Sequence, residues 1–67
     1  MTIRALVKYK VLGDDEYVYI EPFETQCNST AKSELDYYWR VRFLRNLIKR
    51  NILSTYIEDL SVEYVRD

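Results

Sequence analysis

The segment YYWRVRFLRNLIKR, residues 37 to 50, repeats apolar groups at helical spacing but spreads them over more than one face of the helix. A chain of 67 residues has room for little more than one sheet to shelter such a helix. At about 100° per residue, Tyr37, Val41, Leu44 and Ile48 fall within about 60° of one another, with Leu47 at their flank. This stripe is expected to meet the sheet. Trp39 and Phe43 lie on a different stripe, on the far side of the helix from it, bordered by Asp36, Arg40, Asn46 and Arg50. Arg42, Arg45 and Lys49 form a third, basic stripe.

The flanking sequence supplies the sheet. Residues 2 to 12, TIRALVKYKVL, alternate Ile3, Ala5, Val7, Tyr9 and Val11 with Arg4, Lys8 and Lys10, the pattern of a strand with one buried face. The only glycine follows in GDDE and marks a turn. YVYIEPF then reads as a second strand, and its proline, unable to donate to a ladder, places it at an edge. A register with Tyr9 opposite Val18, Val7 opposite Ile20, Lys10 opposite Tyr17 and Lys8 opposite Tyr19 gathers the aliphatic groups on one face and the lysines and tyrosines on the other.

Asn28, Ser29, Thr30 and Ser33 are acceptable N-caps, and acids followed by bases match the helix dipole over residues 30 to 50. Asn51 suits a left-handed helix end. Residues 54 to 67 read mainly as a third strand, with a helical turn possible in 52 to 59. The expected fold is α+β in the order β-β-α-β. A single domain, residues 1–67, holds a three-stranded antiparallel sheet, order 2-1-3, with one long helix packed on one face.

Composition narrows the chemistry. There is one cysteine, Cys27, and no histidine, so neither an internal disulfide nor a Cys/His zinc site can form. Asp14-Asp15-Glu16 lacks the twelve-residue ligand pattern of an EF-hand. No G-x-S-x-G, zincin or glycine-rich phosphate motif is present, so no enzyme activity, catalytic residue, metal, cofactor or small-molecule substrate is expected. No apolar run is long enough to span a membrane, and the first ten residues lack a signal-peptide core, which leads to the expectation of a cytoplasmic protein without membrane contact. A tyrosine-rich chain of this size has the general look of a small phage or mobile-element product, many of which bind and inhibit host proteins.

Two functions fit these features. Trp39 and Phe43 either wrap round to the sheet margin or are left for another molecule. In the second case the chain is a noncatalytic protein-binding module, an inhibitor or accessory subunit of a larger protein and a homodimer. Trp39, Phe43, Arg40 and Arg50 are then its anchors, since interfaces favour Trp, Tyr and Arg. The alternative is single-stranded nucleic-acid binding through Lys8, Lys10, Tyr17 and Tyr19 on the outer sheet face and Arg42, Arg45 and Lys49 on the helix. A sequence pI of about 5.4 disfavours it as a nonspecific binder.

Overall fold

The computed structural model describes residues 1–66. Its central strand is β1, Thr2–Val11, whose alternation buries Ile3, Ala5, Val7 and Tyr9 on one face. On one side β1 pairs antiparallel with two short strands, β2 at Val18–Tyr19 and β3 at Phe23–Gln26. On the other it pairs along its length with β4, Ile57–Arg66. One helix, α1 at Ala31–Lys49, packs against this four-stranded sheet. The fold is α+β, with the first strand central as the alternation implied.

The register around the hairpin is the expected one, with Lys8 opposite Tyr19 and Tyr9 opposite Val18. The ladder does not run on to Lys10 and Tyr17; it closes through the Ile20 N–H, which donates to the Val7 carbonyl at 2.9 Å. The single second strand of the sequence reading is two strands here. Pro22 lies between them and has no N–H to give to a ladder, so pairing lapses and resumes at Phe23.

The helix ends as its sequence dictates. Asn51 takes a left-handed φ of 58°, its N–H donates to the Ile48 carbonyl, and the Ile52 N–H reaches back to the Leu47 carbonyl at 2.9 Å. These two bonds make a Schellman cap, and Ile52 packs against the core to which the buried Leu47 belongs. A short 3₁₀ turn, Ser54–Tyr56, then leads into β4, so the possible helical turn in residues 52 to 59 is present ahead of the strand.

The helix sits on the sheet with its faces exchanged relative to expectation. Ala31, Leu35 and Leu47 are buried, and Trp39 and Phe43 are half-buried against the core. Tyr37, Leu44 and Ile48, expected beneath the helix, are exposed at 64%, 54% and 79%. The two large rings account for part of this, since Phe43 packs edge-on to the fully buried Tyr9 at 5.4 Å between ring centres. Polar atoms account for the rest. The Tyr9 hydroxyl donates to Asn46 Oδ1 at 2.5 Å, and the Tyr64 hydroxyl donates to the Asp36 carboxylate. Trp39 Nε1 donates to Tyr64 Oη at 3.2 Å and to Asp36 at 3.3 Å. A helix face that holds Asp36, Trp39, Asn46 and Arg50 therefore satisfies both tyrosine hydroxyls of the inner sheet, which an aliphatic face would have left unpaired.

This network predicts a pH dependence. The hydrogen bond from Tyr64, and then that from Trp39, hold the Asp36 carboxyl below its ordinary range against some opposing desolvation. Burial, followed by the bond to Asp36, pushes the Tyr64 hydroxyl above its ordinary value. The Asp36 contribution to stability is thus complete above about pH 4 and is lost as pH falls further. The Tyr64 contribution is complete below about pH 10 and is lost as pH rises beyond it. Tyr64→Phe is expected to cost about 1 kcal/mol at neutral pH and to flatten the acid limb, as measured by urea unfolding across a pH series.

Candidate protein-docking surface

Tyr37, Leu44 and Ile48, with the half-buried Val41 among them, form one outward stripe along α1, diametrically opposite the side that holds Leu35, Trp39 and Asn46. It projects away from the sheet because the opposite face carries the rings and polar groups that the sheet requires. Tyr38, 43% exposed, borders the stripe and stacks on Phe23 of β3 with 4.4 Å between ring centres. Tyr37 meets Tyr38 edge-on at 5.3 Å.

The rim of the stripe is basic. Arg40 lies on one side, over the Trp39 ring at 5.6 Å. Arg45 and Lys49 lie on the other, and residues 37 to 50 contain no acid. The two ion pairs among the described residues, Lys10 with Glu58 at 3.2 Å and Arg42 with Glu21 at 3.9 Å, involve none of these three. The surface is an apolar ridge about three turns long between positive charges that form no ion pair among the described residues.

The sequence-selected anchors lie elsewhere. Trp39 is bonded to Tyr64 of β4 and Phe43 packs on Tyr9 of β1, both partly inside the protomer, so their truncation removes internal packing as well as any contact they make outside. Arg50 is exposed, but its guanidinium reaches the Tyr9 hydroxyl at 3.5 Å. Arg40 alone of the four borders the outward stripe. The ridge itself was legible as a cluster in the sequence but was assigned to the wrong side of the helix.

The residues selected for nucleic-acid contact fall on both sides of the sheet. Lys8 lies over the rings of Tyr17 and Tyr19 at 4.5 and 6.0 Å on the outer face. There Tyr17 donates its hydroxyl to Asp59, a bond that raises the hydroxyl's pKa, and Lys10 pairs with Glu58. Glu24 and Glu63 stand opposite Arg4 and Leu6 on that face. Arg42, Arg45 and Lys49 lie on the helix side, lining with Glu21 a shallow cleft of about 340 Å³. Arg42 is also tied to the carbonyls of Glu21 and Pro22. The two basic groups therefore do not form one surface.

Among the described residues no three Cys, Asp or Glu side chains come together as a metal-binding group. Likewise, no helix among them is long and apolar enough to cross a membrane. Comparison with known proteins finds no matching family model, no similar curated protein and no similar solved structure.

Proposed function

We propose that the protein is a small noncatalytic protein-binding module, an inhibitor or accessory subunit of a larger protein, that works as a homodimer. The observation that carries this reading is the outward stripe of α1. Ile48, Tyr37 and Leu44 are the most exposed large apolar side chains of a helix whose other face is anchored by defined hydrogen bonds. A contiguous apolar ridge on so small a domain is the signature of an interaction surface. Its basic rim favours a partner that offers an apolar groove or helix face bordered by Asp and Glu. Two copies of the ridge would bring Arg40, Arg45 and Lys49 against one another, so its occupant is a different protein.

Protein docking is favoured over nucleic-acid binding because the outer-face bases are interleaved with Glu24, Asp59, Glu58 and Glu63. The test is affinity capture from nuclease-treated extract of the native host. The partner is expected to be retained by the wild-type chain and lost from a Leu44→Glu/Ile48→Glu chain. A partner that disappears with nuclease treatment would instead support the nucleic-acid reading.

A further inference from the structure

The free edge of β4 is a second surface, distinct from the ridge. β4 pairs with β1 from Ile3–Arg66 to Val11–Ile57, and among the described residues no strand lies along its other side. No residue of this ten-residue strand is buried, whereas its β1 neighbours Ala5, Val7 and Tyr9 are. Leu60, on the helix side of the sheet, is 40% exposed.

The direction of the β4 backbone groups follows from the far side of β1. The Val7 carbonyl accepts from Ile20 and the Met1 carbonyl from Cys27. Odd-numbered residues of β1 therefore turn their N–H and C=O toward β2 and β3, and even-numbered residues turn theirs toward β4. The bonded pairs between β1 and β4 are then Arg4–Val65, Leu6–Glu63, Lys8–Ser61 and Lys10–Asp59. Leu60, Val62 and Tyr64 direct their backbone groups outward, where no strand among the described residues receives them.

We infer that this edge pairs antiparallel with the same edge of a second copy, centred on Val62. Directly opposed residues in an antiparallel pair share a face, so only registers that match parity are allowed. Shifting the centre to Ser61 sets Asp59 opposite Glu63, and shifting it to Glu63 sets Glu63 opposite itself. Centring on Val62 sets Val62 opposite Val62, Leu60 opposite Tyr64, Ser61 opposite Glu63 and Asp59 opposite Val65, with no like charges facing each other. It also brings the acidic start of each strand, Glu58 and Asp59, toward Arg66 of the other. Each outward-facing residue meets another in the bonded orientation, giving a ladder of about six hydrogen bonds.

The two-fold axis stands perpendicular to the joined sheet, so both helices lie on one face with Leu60, Val62 and Tyr64 of both copies between them. The outward ridges remain free and point the same way, which presents the partner with two equivalent sites. The inference supplies the surface for the self-association proposed above and does not depend on the ridge binding a target.

Sedimentation velocity across a concentration series, paired with amide hydrogen exchange by NMR, tests it. The wild-type chain is expected to dimerise, and the amides of Leu60, Val62 and Tyr64 to become protected as it does. Those of Ser61 and Glu63 are protected at every concentration. Val62→Pro removes an outward N–H without breaking a β1 bond and is expected to weaken the dimer by about 100-fold or more while the monomer stays folded. If proline unfolds the chain, Leu60→Lys, at a half-exposed position, serves in its place with the same expected loss. Leu44→Glu/Ile48→Glu is expected to leave the dimer intact. A strictly monomeric wild-type chain, a dimer that leaves the three amides unprotected, or a dimer lost through the ridge variant alone would overturn the inference.

Discussion

Leu35→Ala is expected to cost about 2–5 kcal/mol and to leave the chain largely unfolded at 25 °C, as read by circular dichroism and urea titration. Leu35 is fully inaccessible and belongs to the hydrophobic cluster that joins helix and sheet. The loss comprises the transfer free energy of the side chain and the cavity left behind. It weighs heavily because a domain of 67 residues has only a few kcal/mol in reserve and Cys27, its single cysteine, gives it no internal disulfide. Tyr37→Ala, two positions away but on the ridge, is expected to change stability by less than about 0.5 kcal/mol, the usual result at an exposed site. The contrast between these neighbours reports the rotation of the helix.

The second large effect concerns binding. Leu44→Glu/Ile48→Glu is expected to weaken capture of the protein partner by about 100-fold or more, the scale of losing central anchor residues. The new acids also face the acidic rim attributed to the partner, which adds repulsion to the lost apolar contact. Arg45→Ala and Lys49→Ala act differently. They are expected to slow association by severalfold at low salt and by little at high salt, because rim charges steer encounter more than they hold the complex. Surface plasmon resonance at two ionic strengths separates the two behaviours.

Much of the fold was legible in the residues themselves. Strict alternation in β1, the turn at Gly13, the edge position of the Pro22 segment, the left-handed Asn51 and the polarity of α1 are all local signals that the tertiary structure keeps. The orientation of the helix was not, because a helical wheel ranks faces by apolar content and so favours the stripe of Tyr37, Val41, Leu44 and Ile48. It gives no credit to polar atoms that find partners. The deciding signal lay in the strands: Tyr9 and Tyr64 occupy inward parity, and their hydroxyls need partners under the helix. Among the helix faces, the one holding Asp36, Trp39 and Asn46 supplies both partners along with two large rings. An inventory of inward tyrosines would have pointed to the observed side. The division of the second strand at Pro22 was legible in part, since the proline announced an edge but not where pairing would resume.

The account rests on α1 turning its aliphatic stripe to water and holding the sheet with its aromatic and polar side. The most direct test is the urea unfolding free energy of a Leu44→Gln/Ile48→Gln chain, in which two exposed apolar groups give way to neutral helix formers. With the stripe in water, the value is expected to lie within about 1 kcal/mol of wild type. A loss of about 4 kcal/mol or more, the cost of emptying two core positions, would show that the stripe packs on the sheet and would contradict it.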